Sequence, residues 1–220
     1  MKVPFIDIHT HNRKVSDEIL SVPSIFLQDI DSGSQVPYPF TAGIHPWHAD
    51  LFDLEEAEAM FDSLGNQKMM IAVGETGLDK KYNSDFEKQK MIFKFHIDYA
   101  SKKQLPLIIH CVKAWDEILY YSKQTDVPFV LHAYNSSPEM TKQLIHSGFY
   151  FSVGISLIKD LKWFKEILQL IPATSLFFET DEGGLDIRYI YYQASSIFQC
   201  SVEELKQQIF DNYMRLFHHQ

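Results

Sequence analysis

Short apolar runs alternate along the chain with longer stretches whose apolar residues recur at helical spacing. The runs cover residues 3–11, 19–27, 40–46, 69–74, 105–112, 128–132, 150–153 and 175–179. Because the runs are continuous rather than alternating with polar residues, they predict strands that are covered on both faces, as in a parallel sheet. The stretches between most of these runs predict helices at residues 54–64, 85–103, 114–123, 139–146, 157–170 and 201–217.

Serine residues mark the starts of three of the predicted helices. Ser84 and Ser201 are each followed three residues later by a glutamate, which is the spacing of a capping box. Ser137 precedes Pro138, a pair typical of an N-cap followed by proline at the first helical position. These signals predict that helices begin directly after each serine.

The order of strands and helices predicts a (β/α)8 TIM barrel that forms a single domain over residues 1–220. The barrel is expected to be compressed between its first and third strands, because residues 14–40 leave little room for a helix beside the second strand. In such barrels the active site lies at the C-terminal ends of the strands. The side chains at those ends are therefore the candidates for chemistry.

Charge, cysteine content and hydropathy narrow the classes of function. A formal net charge of -9 argues against a broad surface for non-specific nucleic-acid binding, which requires a basic face. Cys111 and Cys200 do not form a CxxC pair, which favours reduced thiols. No apolar run has the length of a signal peptide or a membrane span. We therefore expect a cytoplasmic protein without a membrane partner, and no obligate protein partner is evident.

Nearly every predicted strand carries an imidazole or a carboxylate at its C-terminal end. These residues are His9 and His11, His45, Glu75, His110, His132 and Asp181. Burying so many polar groups in one barrel mouth is costly unless they bind a metal or pair with one another. Imidazole and carboxylate together suit Zn²⁺, Mn²⁺ or a related divalent ion.

Roles follow from the positions of these side chains. The predicted metal ligands are His9, His11, Glu75, His110, His132 and Asp181. Six ligands exceed one tetrahedral zinc and suit two adjacent ions, with Glu75 from a middle strand as the shared carboxylate.

Catalytic and substrate-binding roles extend this prediction. Asp181 is expected to be both a ligand and the proton acceptor for the attacking water, and Glu75 is the second predicted catalytic residue. Asp7 shares a strand face with His9 and is expected to hold an imidazole tautomer. His45 and Lys113 are expected to contact a substrate phosphate.

The combination of motifs resembles the TatD-related metal-dependent hydrolases. They are Asp7-Ile-His-Thr-His11, Gly43-Ile-His-Pro-Trp47, Gly74-Glu-Thr-Gly-Leu-Asp79, Leu105-Pro-Leu-Ile-Ile-His110, His132 and Glu179-Thr-Asp181, in that order. The resemblance implies a TIM barrel of the amidohydrolase superfamily with one or two divalent ions (Zn, Mn or Mg). It also implies hydrolysis of phosphoester bonds, often as a deoxyribonuclease.

Carried over by position, the resemblance assigns two metal sites that share one carboxylate. His9, His11, Glu75 and Asp181 would form one site, and Glu75, His110 and His132 would form the other.

The chain departs from that family at its periphery. Cys111-Val112 stands where the family has Ser-Arg, and Glu182-Gly-Gly-Leu185 replaces the family's Ser-Pro or Ala-Pro and its long arginine-bearing loop. These departures and the negative charge favour a small or single-stranded phosphodiester substrate. Two alternatives stay open: an amidohydrolase that cleaves C–N or carboxylic ester bonds, and a catalytically silent metal-binding barrel.

Overall fold

The computed structural model describes residues 3–13, 16–30, 35–64, 68–155 and 159–218. The strands are β1 Phe5–Thr10, β2 Ile19–Phe26, β3 Phe40–Gly43, β4 Met70–Asp79, β5 Leu107–Val112, β6 Phe129–Leu131, β7 Tyr150–Val153 and β8 Leu176–Phe178. The α-helices are α1 Leu54–Leu64, α2 Phe86–Lys103, α3 Trp115–Ser122, α4 Pro138–His146, α5 Leu161–Leu170, α6 Ile187–Phe198 and α7 Val202–Phe217. None of these described helices combines the length and the apolar composition needed to cross a lipid bilayer.

The strands follow one another in chain order in one eight-stranded sheet, with helices between most of them. This is the (β/α)8 TIM-barrel fold, and the predicted fold class is confirmed. Each of the eight predicted runs overlaps an observed strand, because each run supplies the continuous apolar segment that a strand covered on both faces requires.

Contacts divide the chain into two compact units. The first unit comprises Met1–Pro23 and Val130–Gln220, and the second comprises Ser24–Phe129. That the whole chain forms a single domain stays a prediction.

In the first unit, β1 pairs in parallel with the start of β2, β6 pairs with β7, and β7 pairs with β8. Thr10, at the end of β1, forms a parallel bridge to Asp181, which lies just beyond β8. The sheet buries Ile6, Val130 and Phe177, and the buried face of α5 adds Phe164. The C-terminal ends of β1 and β8 therefore lie side by side.

In the second unit, the end of β2 pairs with β3, β3 pairs with β4, and β4 pairs with β5, all in parallel. Gly74 and Gly77 on β4 have φ angles of 145° and 143°. A Cβ atom on Gly77 would lie 1.9 Å from the carbonyl oxygen of His110 on β5. Glycine at this position therefore allows β4 to approach the segment of β5 that carries His110.

Three details of the predicted elements are wrong. The fourth strand does not stop at Gly74 but continues through Glu75 to Asp79. The N-cap of α2 is Asp85, whose carboxylate accepts the N–H groups of Glu87 and Lys88, so Ser84 does not form the predicted capping box. A helix that the sequence analysis did not predict, α6, follows β8 and is capped by Asp186.

Other helix starts agree with their signals. Ser137 caps α4 with Pro138 at its start, and Ser201 with Glu204 forms the capping box of α7. Of the helix predicted at residues 157–170, residues 157 and 158 lie outside the described residues, and the described part begins at Leu161.

The segment predicted to be compressed contains few elements. Between Thr10 and Phe40, the described residues form β2 and a 3-10 turn at Leu27–Asp29, and they contain no α-helix. Residues 14–15 and 31–34 of this segment lie outside the described residues.

A buried histidine joins α2 to the end of β3. His96 is fully buried, its Nε2 accepts the N–H of Ile44 at 3.0 Å, and its Nδ1 donates to the carbonyl oxygen of Ile92 at 2.6 Å. Burial lowers the pKa of His96 to about 4, although the hydrogen bond to Ile92 opposes the shift. The imidazole is therefore neutral and fixed in one tautomer.

We expect His96 to make the free energy of unfolding depend on pH. Between the folded pKa of about 4 and the ordinary value of 6.5, the unfolded chain binds a proton that the folded chain does not. Above pH 6.5 the titration of His96 does not lower the free energy of unfolding. As the pH drops from 6.5 towards 4, the free energy of unfolding falls by about 3 kcal/mol at most.

Urea unfolding at pH 4.5 and 7.5 checks this expectation with His96→Leu as the comparison. The variant is less stable at pH 7.5, because the N–H of Ile44 loses its acceptor, but it loses less stability on acidification. Equal acid sensitivity of the two proteins would contradict the assignment.

Candidate metal centre

The first group of potential ligands lies where β1 and β8 end side by side. The ligand atoms of His9, His11 and Asp181 all lie within 4.8 Å of one another. The Nε2 atoms of His9 and His11 are each 3.8 Å from Oδ1 of Asp181. His9 is fully buried, whereas the Asp181 side chain is 34% exposed. The carboxylate therefore faces both the imidazoles and solvent.

Backbone bonds between the two strands hold this group in place. The N–H of Asp181 donates to the carbonyl oxygen of His9 at 3.0 Å, and the N–H of His11 donates to the carbonyl oxygen of Asp181 at 3.1 Å. Asp7 adds an anchor, since it accepts the N–H of Thr180 at 2.9 Å and the hydroxyl of Thr180 at 2.7 Å. These contacts position Asp181 without using its own carboxylate.

A glutamate positions the histidine at the end of β6. His132 is buried, and its ring centroid is 4.2 Å from that of His9. Nδ1 of His132 lies 3.1 Å from Oε1 of Glu179, an oxygen that also accepts the N–H of Ala133. A carboxylate on one imidazole nitrogen leaves the other nitrogen for a metal.

The second group of potential ligands lies in the second unit. His45, Glu75 and His110 place one ligand atom each within 4.8 Å of the others. Oε1 of the buried Glu75 is 3.1 Å from Nε2 of His45 and 2.9 Å from Nδ1 of His110. Nδ1 of His45 accepts the N–H of Trp47 at 3.2 Å, which leaves Nε2–H of a neutral imidazole to face the carboxylate.

Asp79 supports the far side of His110. Oδ2 of Asp79 accepts the indole N–H of Trp47 at 2.7 Å and lies 3.4 Å from Nε2 of His110. Burial raises the pKa of Asp79, but hydrogen bonds from Trp47 and from the N–H of Lys81, together with His110, outweigh it and hold the pKa below its ordinary value. Asp79 is thus a carboxylate at neutral pH, suited to accept a hydrogen bond from His110.

Both groups fit a divalent ion by the chemistry of their donors. Each offers imidazole nitrogens and a carboxylate oxygen, the set that zinc and related ions prefer. Glu179 and Asp79 contact the second nitrogen of a nearby histidine, as carboxylates do behind histidine ligands of metals.

Comparison with known proteins identifies the family. The model of a family described as TatD related DNase matches residues 25–218. The chain belongs to this TatD-related DNase family. It is 29% identical over 198 residues to the uncharacterized metal-dependent hydrolase YcfH of Escherichia coli K12, a match that covers 81% of this chain and 73% of YcfH.

Two further relatives carry informative names. The chain is 28% identical over 200 residues to the uncharacterized metal-dependent hydrolase YabD of Bacillus subtilis, which covers 82% of this chain and 78% of YabD. It is 33% identical over 153 residues to the 3'-5' ssDNA/RNA exonuclease TatD of a Pantoea species, which covers 66% of this chain and 58% of that protein.

A solved structure supports the fold of this TatD-related chain. The TatD homologue YJJV of Escherichia coli K12 superposes with a TM-score of 0.80 at 20% identity, and the match covers 100% of both chains.

The structure brings the predicted site residues of the TatD-related chain into two sets. His9, His11, His132 and Asp181 lie together in the first unit, and Glu75 and His110 lie together in the second. His45, predicted to contact substrate, has its Nε2 atom 3.1 Å from Oε1 of Glu75 and belongs to the same group of potential metal ligands. That Glu75 serves both metal sites, and that Asp7 fixes an imidazole tautomer, stay predictions.

Lys113 makes no contact with a predicted metal ligand among the contacts of the described residues. It is exposed, directly follows β5, and has a left-handed φ of 54°. Its contact with a substrate phosphate stays a prediction.

Sequence reasoning missed the two carboxylates that contact predicted histidine ligands. Asp79 and Glu179 both stand in motifs that resemble the family, but neither received a role. The available signal was an acidic residue four positions after Glu75 in one motif and two positions before Asp181 in the other.

Proposed function

We propose that the chain is a divalent-metal-dependent phosphodiesterase of the TatD type that acts on small or single-stranded nucleic-acid substrates. The observation that carries the proposal is the pair of groups of imidazole and carboxylate, each with three potential ligands, on the strands or just beyond them. Membership of the TatD-related DNase family supports the same reaction class.

His9, His11 and Asp181 would hold a divalent ion, which would supply a Lewis acid for a phosphoryl oxygen and would lower the pKa of a water molecule to near 7. Asp181 then acts as the acceptor of the proton from the attacking water. Its side chain is 34% exposed and lies 3.8 Å from two imidazoles, so it reaches both solvent and the ligand group. The left-handed φ of 53° at Asp181 presents this carboxylate just beyond β8.

Glu75 and the histidines around it have a different task. The carboxylate is buried and contacts His45 and His110, which makes it a fixed ligand rather than a mobile base. Asp79 and Glu179 hold His110 and His132 in orientation, so the ligand nitrogens need little reorganisation on metal binding.

Charge favours a small or single-stranded substrate. A net charge of -9 opposes the binding of a long duplex, whose affinity for proteins depends on cations that neutralise its phosphates. The relative from the Pantoea species, named as a 3'-5' ssDNA/RNA exonuclease, supports this choice of substrate.

Metal removal tests the proposal. We expect purified protein to contain a divalent metal and to cleave a labelled single-stranded DNA faster than the matching duplex. Chelation should reduce cleavage to the background rate, and Zn²⁺, Mn²⁺ or Mg²⁺ should restore it, because the ion supplies both the polarised oxygen and the activated water.

Carboxylic ester and amide substrates, assayed in parallel, separate the alternatives. Chelator-sensitive turnover of these substrates alone would assign the chain to C–N or ester hydrolysis. Bound metal without turnover of any substrate would contradict the proposal and favour a catalytically silent barrel.

A further inference from the structure

Two half-exposed aromatic rings stack on each other in the second unit. Trp47 and Tyr82 are each 44% exposed, their ring centroids are 4.9 Å apart, and their planes differ by 13°. Aromatic side chains of this size gain most by burial, so a stacked pair that stays half open is an available binding surface. Trp47 comes from the 3-10 turn after β3, and Tyr82 comes from the loop after β4.

The buried carboxylate of Asp79 holds both members of the pair. Oδ2 accepts the indole N–H of Trp47 at 2.7 Å, and Oδ1 accepts the backbone N–H groups of Lys81 at 2.8 Å and Tyr82 at 3.2 Å. One side chain therefore fixes a ring from one loop and the backbone of the other. A surface organised in this way loses little conformational entropy when a flat ligand stacks on it.

The pair also adjoins the group of Glu75, His45 and His110. The ring of Trp47 lies 4.7 Å from that of His45 and 6.0 Å from that of His110, between centroids. Asp79, which holds the pair, also contacts His110. A substrate phosphate at these ligands would thus have aromatic rings beside it.

The charge of the chain makes such a surface useful. Proteins that bind single strands combine cations along the phosphates with aromatic rings under the bases. With a net charge of -9 the first contribution is small, and Lys80, the cation next to Asp79, is paired with Glu117 at 2.6 Å. Stacking on bases would therefore add to the predicted phosphate contact of Lys113.

We propose that Trp47 and Tyr82 form a stacking subsite that binds one unpaired nucleobase of the substrate. This inference rests on the proposed phosphodiesterase function and specifies which part of the substrate is recognised. A base held in a duplex has both faces covered by its neighbours, so the subsite selects single strands.

Tyr82→Leu tests the subsite, because the Tyr82 side chain shows no hydrogen bond among the described contacts and leucine keeps an apolar group there. We expect KM for single-stranded DNA to rise about 5- to 100-fold with little change in kcat, since stacking contributes to ground-state and transition-state binding alike. Tyr82→Phe should retain the KM of the parent within about twofold, because the ring is kept.

Two controls isolate the nucleobase. On an oligonucleotide in which tetrahydrofuran residues replace the nucleosides, Tyr82→Leu and the parent should have the same KM. Tyr120→Leu removes a tyrosine that is 64% exposed on α3 and should leave both KM values unchanged. An equal rise in KM on both oligonucleotides, or an equal loss in Tyr82→Phe, would overturn the inference.

Binding without turnover separates this inference from the function on which it rests. We expect single-stranded DNA to quench tryptophan fluorescence by an amount that is lost in Trp47→Phe and absent with the base-free oligonucleotide. Quenching without cleavage would contradict the phosphodiesterase function but would still support the stacking subsite. Cleavage with unaltered KM and quenching in Tyr82→Leu and Trp47→Phe would overturn the subsite and leave the function.

Discussion

Glu75→Gln is expected to abolish hydrolysis and leave the chain folded. The substitution keeps the shape of the side chain but removes the negative charge between His45 and His110. An ion supplies several kcal/mol of transition-state stabilisation and about 1.4 kcal/mol is tenfold in rate, so kcat/KM should fall by at least ~10³-fold. Metal analysis after dialysis should show a matching loss of bound ion.

Folding should survive this change because a buried carboxylate adds little net stability. The buried charge is costly to desolvate, and glutamine removes that cost while its amide oxygen can still accept a hydrogen bond from His45 or His110. Thermal unfolding of the metal-free proteins checks this point. Glu166→Gln, which makes the same chemical change at an exposed position on α5, should keep parental activity and metal content. Full activity in Glu75→Gln would show that the Glu75 carboxylate is not a required metal ligand.

Several parts of this site can be predicted from the chain alone. His11 and His132 each close an apolar run, His9 and His110 each lie two residues before the end of one, and a parallel barrel collects such ends at one face. Period-two alternation also places His9 and His11 on one side of a strand. These conclusions depend on properties of single segments, which a sequence carries directly.

The supporting carboxylates could not be predicted in the same way. The role of Asp79 depends on an indole N–H from the turn after β3 and on an imidazole from β5, which are 32 and 31 positions away. Glu179 meets His132, which is 47 positions away. Which histidine an acidic residue contacts is a property of strand register, and register is not visible in one segment.

The errors in the elements have local causes. Polar Glu75 ends an apolar run, so the run predicts a strand end, but the strand continues to Asp79 because pairing with β5 supports it. At α2, Asp85 and Ser84 are both good N-cap residues, but the hydroxyl of Ser84 accepts from the amide of Gln89 and donates to Pro46, and Asp85 caps the helix. The unpredicted α6 has Ile187, Ile190, Tyr191 and Ala194 on its buried side, a helical spacing that was present in the sequence.

That missed helix bears on the metal centre. The hydroxyl of Tyr191 accepts the N–H of Ile6 and donates to its carbonyl oxygen, both at 3.0 Å. A buried side chain of α6 thereby holds the strand that carries His9 and His11. The position of these two predicted ligands thus depends on a helix that follows them by about 180 residues in the sequence.

The double variant His9→Ala/His11→Ala is expected to lose one metal ion per chain and remain folded. Both imidazoles lie 3.8 Å from the Asp181 carboxylate, and removing them leaves a single carboxylate from this group. One carboxylate does not hold a divalent ion against water. Metal analysis should therefore show one equivalent fewer than in the parent, and hydrolysis should fall by at least ~10³-fold because the activated water is lost.

The fold should persist because the imidazoles are not what joins β1 to the end of β8. The N–H of Asp181 and the N–H of His11 make the two backbone bonds there, and alanine keeps both. The cavity left by the buried His9 should cost no more than about 3–5 kcal/mol, the range of other large-to-small core changes. His11→Ala alone, at a partly exposed position, avoids that cavity and should still weaken metal binding.

His146→Ala, at an exposed position on α4, is the matched control and should keep all bound metal. If the double variant retained its full metal content by the same assay, His9 and His11 would not be ligands, and the first metal site would have to be placed elsewhere.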